Sequence, residues 1–260
     1  MLRFFRYIRK SLMEQNKIRT YFLYATGEIF LVVIGILIAL QVNNWNEWRK
    51  DRIQEKNYLE RLTLELKSDS LRLEGAISLT NYKIDQANFL LNKIDPDVQI
   101  SDSSAFVENS FLVGRGGSFM PYLPTYQELV STGDMGLIQN EEIINHISRY
   151  INRVEGFESF VYSEGEQRRS AHNNHIHRYF SALLMDEIWE LHSDEEFELI
   201  NYNGYLVNID GFRTDSDSAY HIRNVAALNA ELNRLYKQLM ETYISPILDL
   251  LYYELQTQNE

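Results

Sequence analysis

The chain has 260 residues, 45% of them hydrophobic, a formal net charge of −12 and no cysteine. Acidity on that scale disfavours phosphate backbones and anionic headgroups as partners for the bulk of the chain. The lack of cysteine removes disulfides, thiolate metal ligands and a thiol nucleophile. The charge is unevenly divided. Residues 1–56 hold ten Lys and Arg against five Asp and Glu, whereas the other 204 hold fifteen against thirty-two.

Residues 1–19 read as a basic amphipathic segment, with Phe4, Phe5, Ile8 and Leu12 apolar and cations between them. Such a helix suits the headgroup plane of a membrane. A transmembrane helix is expected over 20–44. Ile29 to Leu40 carries no polar side chain, and its flanks extend it to about 20 residues, enough to cross a core of about 30 Å. Tyr21 and Tyr24 before it, and Trp45 and Trp48 after it, suit interfacial anchors. No small-x-small cleavage site follows, so an uncleaved anchor is expected. Six Lys and Arg precede the span and five follow within a comparable window. That bias puts the N-terminus in the cytoplasm and the large C-terminal part on the other side of the membrane.

Glu28 lies inside the span, where a charge costs a few kcal/mol unless paired, hydrated or protonated. Ala25, Glu28, Val32, Gly35 and Ala39 share one stripe at three-four spacing, continued by Val42 and Asn46. Gly35 and Ala39 form a small-xxx-small pair that allows close helix approach. Phe30, Ile34 and Leu37 face elsewhere. The stripe reads as a membrane packing face that includes the acid. Two other readings stand beside it: Glu28 reaches the headgroups or Arg19, or it relays protons for a partner.

Residues 45–94 read as a stalk helix, with Leu59, Leu62, Leu66, Leu73, Ile77, Ile84 and Leu91 at helical spacing. Asp95-Pro96-Asp97 stops it. Residues 95–260 form an acidic α-helical domain that packs with the stalk. Its first helix runs from near Ser103 to before Gly114-Arg115-Gly116-Gly117, a flexible turn. Pro124-Thr125-Tyr126-Gln127-Glu128 fits a capping box, and the helix ends near Thr132-Gly133. Asn140-Glu141-Glu142 opens an amphipathic run, bent near Gly156, that continues through Trp189. Ser193 to Glu196 suits a further cap, and 201–216 is irregular. A last helix runs from about Asp217 to Gln256, bent at Pro246. The fold class is all-α: one transmembrane helix continuing into a helical bundle.

The residues Tyr24-Ala25-Thr26-Gly27-Glu28-Ile29, Gly35-Ile36-Leu37-Ile38-Ala39-Leu40-Gln41 and Asn43-Asn44-Trp45-Asn46-Glu47 with Arg49-Lys50 form a block. It resembles the N-terminal signature of a bacterial family of single-span membrane proteins known only as a domain of unknown function. Pro124-Thr125-Tyr126, Glu128-Leu129, Thr132-Gly133 and Leu137-Ile138-Gln139-Asn140 are similar to that family's second recurring motif. The resemblance implies membrane attachment, in a bacterial inner membrane with the C-terminal domain in the periplasm when joined to the charge bias, and supplies no activity, substrate or catalytic residue.

The search for chemistry returns little. His172 and His175 fall on one helix face and are the only metal candidates; with Arg168 and Arg169 beside them, a solvated polar face is expected instead, and no metal. Gly114 to Gly117 lacks the Gly-Lys-Ser/Thr ending of a phosphate loop. No nucleophile elbow is present. No catalytic residue, cofactor or small-molecule substrate is expected. The expected function is a non-enzymatic scaffold or interaction protein of the cell envelope. Its partners would be the lipid bilayer and a second copy or another membrane protein, with no nucleic acid. The alternative is a sensor or transport-accessory subunit that uses Glu28.

Overall fold

The computed structural model describes residues 18–117, 119–184 and 205–258. The basic segment up to Lys17 and the cap expected at Ser193 lie outside the described residues. Every long element among them is a helix. An isolated antiparallel bridge, Phe180 to Val207, is the one extended pairing among the described residues.

Helix α1 spans Ile18–Lys93. It ends two residues before Asp95-Pro96, where a residue ahead of proline is pushed out of the helical region. Arg213 closes this end by donating from its Nε to the Lys93 carbonyl at 2.8 Å. The chain divides into two compact units, residues 1–57 and 58–260.

In the second unit, α1 contributes Leu59, Leu62, Leu66 and Leu73, all fully buried. Helix α2 (Ser103–Leu112) is capped by Asp102, whose side chain accepts the Ala105 N–H at 2.9 Å. Helix α3 covers Pro124–Thr132 and ends on Gly133 at φ 79°, the left-handed residue that glycine supplies at a helix C-terminus. A 3₁₀ turn at Asp134–Leu137 leads to α4 (Glu141–Phe160). A π turn at Val161–Gly165 joins α4 to α5 (Glu166–Ile176). Short α6 (Ile209–Thr214) precedes α7 (Ser216–Leu239), and a second π turn, Met240–Ile244, leads to α8 (Ser245–Thr257).

Two apolar clusters hold this unit together. The larger joins the α1 leucines to Leu129, Ile143, Ile147 and Tyr150, and to Leu232 and Ile247 of the C-terminal helices. The smaller gathers Ala87, Leu90, Phe106, Phe111, Ile176, Phe180 and Phe212. Phe106 and Phe180 both meet Phe212, at centroid distances of 6.0 and 5.4 Å. Contacts of this kind add about 1 kcal/mol each beyond area burial.

Five local expectations are corrected. Pro124 occupies the first turn of α3, with Leu123 as the cap residue and no side-chain cap bond. Proline's fixed φ suits that first position, so Thr125 falls inside the helix and the capping box does not form. Gly156 lies within unbroken α4, and the irregularity comes instead at the π turn ending in Gly165, where a Cβ would meet Leu228 Cδ1 at 3.4 Å. The amphipathic run stops at Ile176 rather than continuing to Trp189; a turn and the Phe180 bridge follow, and residues beyond Leu184 lie outside the described set. The segment expected to be irregular contains α6 within it. The bend expected at Pro246 takes the form of the π turn just before it, which accommodates a residue without an N–H.

Candidate functional site

In the first unit, the apolar part of α1 is long enough and apolar enough to cross a membrane, and none of that stretch is buried. A buried core helix of a soluble domain has the opposite exposure. Ala25 and Glu28 are partly covered, whereas Val32, Gly35 and Ala39 are exposed. A Cβ added at Gly35 would meet nothing within 4 Å. Ala25, Glu28, Ile29, Val32 and Val33 line a shallow groove, and Ile34, Leu37, Ile38, Gln41, Val42 and Trp45 line another. Trp45 and Trp48 are exposed, with the Arg49 guanidinium 6.0 Å from the Trp45 ring. The side chains of Tyr21 and Tyr24 lie outside the described residues.

In the second unit, α1 carries a polar stripe beside its leucines. Tyr58, Arg61, Glu65, Asp69 and Arg72 recur every three or four residues and therefore face one way. Each meets something far away in sequence. The Tyr58 hydroxyl donates to Asp134 at 3.1 Å. Arg61 donates to Glu128 at 2.6 Å, which holds the Glu128 carboxyl below its usual range. Glu65 accepts the Thr125 hydroxyl at 2.6 Å and the Thr125 N–H at 3.2 Å. It thus satisfies a free N–H at the start of α3 from another helix. Asp69 is fully buried; it accepts the Tyr122 N–H at 3.1 Å and the Tyr150 hydroxyl at 3.2 Å, and pairs with Arg72. Burial pushes the Asp69 carboxyl up, against the pull of Arg72 and the two other donors. The stripe fastens the segment Tyr122–Asp134 to α1. Its carboxylates, Glu65 and Asp69, are both taken up in these contacts.

The histidines require a correction. His172 and His175 are buried, as is Arg169, so the solvated face is wrong. The surrounding helices, not the local sequence, cover them. His172 Nε2 lies 2.8 Å from the Ser110 carbonyl. A carbonyl only accepts, so Nε2 carries the proton and Nδ1 is a bare acceptor, with no partner among the described residues. Burial lowers the His172 pKa to about 4. His175 bonds the Ser218 hydroxyl at 2.8 Å, and its ring lies 4.6 Å from that of His221. Among the described residues no three His, Asp or Glu side chains are placed to hold a metal ion.

The geometry therefore offers an exposed apolar helix in one unit and a polar-stapled bundle in the other. A family of unknown function (DUF6090) matches residues 28–163. The chain belongs to this family. The matched stretch starts at Glu28 and takes in the apolar segment, the polar stripe and the Tyr122–Asp134 segment, and it stops before His172 and His175. No curated protein and no solved structure matches the chain.

Sequence reasoning found the apolar helix and its small-residue stripe. It missed Glu65, Asp69 and Arg213. The one signal for Glu65 and Asp69 was the spacing of Tyr58, Arg61, Glu65, Asp69 and Arg72, a second periodic stripe adjoining the leucines; Arg213 had none.

Proposed function

We propose that this protein is a non-enzymatic, membrane-anchored interaction protein of the bacterial cell envelope. The apolar part of α1 spans the inner membrane, and the acidic helical unit stands on the periplasmic side. The observation that supports this most directly is the exposure of Val32, Gly35 and Ala39, where a Cβ at Gly35 meets nothing of the chain's own. Small residues left open on an apolar helix suit a second helix, which can approach closely only there. The partner is another copy of this span or a helix of another membrane protein. Within the bundle, buried carboxylates serve as fasteners rather than as reactive groups, which fits a scaffold.

The chain has no cysteine, so one introduced thiol is unique. Cysteines placed singly at Val32, Ala39, Ile34 and Leu37 should crosslink in native membranes from the first two positions and not from the last two. Gly35→Leu should suppress the crosslink. Equal yields from all four positions would sink the packing-face reading. Glu28→Gln should leave crosslinking and co-purifying partners unchanged. If it abolishes function while the crosslinks persist, the sensor or transport-accessory reading takes its place.

A further inference from the structure

The second unit contains a half-open cavity of about 200 Å³ between α1 and α7, lined by Arg72, Ala76, Leu79, Thr80, Lys83 and Tyr236 of these helices and by Gly117, Phe119 and Met120. Its floor is chemically unusual. Lys83 is 4% exposed, and lysines so buried are normally paired. The one acceptor for Lys83 among the described residues is the Arg115 carbonyl, 2.6 Å from Nζ. An ammonium has three donors, so two are left for the cavity. The surrounding charges do not compensate. Burial, Arg169 and Arg115 together lower the Lys83 pKa to about 8. At neutral pH the amine is therefore mostly charged and poorly balanced.

Tyr236 adds a second donor. Its hydroxyl accepts the Phe119 N–H at 3.2 Å, and its own proton has no acceptor among the described residues. Thr80, by contrast, is spent: it donates to the Ile77 carbonyl at 2.8 Å and accepts from Asn233 at 2.8 Å. The Arg72 guanidinium, paired with Asp69, stands 5.6 Å from the Phe119 ring. Leu79, Phe119, Met120 and Ala76 make the remaining walls apolar. The cavity is smaller than sites for drug-sized ligands, which suits a ligand of few atoms.

We propose that this cavity binds a small organic monoanion, a carboxylate on a short apolar tail, with Lys83 and Tyr236 holding the carboxylate and Leu79, Phe119 and Met120 covering the tail. A carboxylate accepts several hydrogen bonds and supplies the charge that Lys83 lacks. The apolar walls favour it over inorganic phosphate, whose oxygens would face hydrocarbon without donors. This site goes beyond the anchoring role and does not depend on it.

The test is calorimetric titration of the full chain in lipid nanodiscs with hexanoate, its neutral isostere hexanamide, and inorganic phosphate. Hexanoate should saturate, and hexanamide should bind about tenfold more weakly or worse, as expected for one charge-assisted hydrogen bond. Lys83→Met should weaken hexanoate by about the same factor. Leu79→Asp, at a rim position 45% exposed, keeps the proposal testable if that variant folds poorly. It sets a carboxylate one helical turn from Lys83, where it takes the ligand's place. Overturning results are no saturable hexanoate binding by the parent chain, unchanged binding by Leu79→Asp or by folded Lys83→Met, or phosphate binding more tightly than hexanoate.

Discussion

Gly114 shows how one residue can be misjudged by its neighbours in sequence. Beside Arg115-Gly116-Gly117 it reads as part of a flexible turn, yet it is buried at the end of α2. A Cβ there would lie 2.4 Å from Asn173 Oδ1 and 2.5 Å from His172 Cδ2. Neither can yield easily, because His172 is pinned to the Ser110 carbonyl and both sit on α5. The glycine is there for close helix approach, not for mobility. Gly114→Ala should therefore cost about 2–3 kcal/mol in urea denaturation, as overpacking of a tight core does. Two residues on, a Cβ at Gly116 would meet nothing closer than Arg169 Nε at 4.0 Å. Gly116→Ala should stay within about 0.5 kcal/mol, as is usual for surface changes. Equal costs would show the turn, rather than the contact, to be the constraint.

At the scale of elements, α1 from Tyr58 to Leu73 works through two parallel stripes. The leucines bury area, and the polar stripe specifies which segment lies against them. Asp69 is the most demanding member, since it is fully buried with three groups depending on it. Asp69→Leu would strand the Arg72 guanidinium, the Tyr122 N–H and the Tyr150 hydroxyl, and should cost about 3 kcal/mol or more. Asp69→Asn keeps an acceptor for Tyr122 and Tyr150 and loses the ion pair, so about half that loss is expected by the same denaturation. Indistinguishable losses would mean that the charge, not the hydrogen bonding, holds the segment. This division also explains what was legible in advance. Helix ends at Asp95-Pro96 and Gly133 are written in local backbone chemistry, and the apolar span in local composition. Apart from Arg72, the partners of Asp69 and Glu65 named above lie 53 to 81 residues away, beyond any local template. The capping box failed for the same reason. Thr125 and Glu128 have the right spacing, but Pro124 shifts Thr125 into the helix, and Glu65 and Arg61 take the two side chains.

For the whole molecule, buried histidines link stability to pH in a defined window. His172 has an ordinary pKa of 6.5, lowered to about 4 by burial, and His175 is lowered in the same direction. The unfolded chain therefore binds protons that the folded chain refuses. Stability is fully present above about pH 6.5 and is lost as pH falls toward 4. For His172 alone the loss amounts to about 2 kcal/mol by pH 5. Protonation would place a charged Nδ1–H where the described residues provide no acceptor. Asp69 works in the opposite sense. Its raised pKa means that the folded state takes up a proton first, so its contribution favours folding as pH falls. Comparing the parent with His172→Gln removes Asp69 from the balance, because both proteins contain it. Glutamine can still donate to the Ser110 carbonyl and does not titrate. Denaturation of the parent should show the midpoint falling between pH 7 and pH 5, and His172→Gln should lose much of that slope. An identical slope in both would show that His172 accepts its proton within the fold, and that the acid sensitivity comes from groups other than the buried ring.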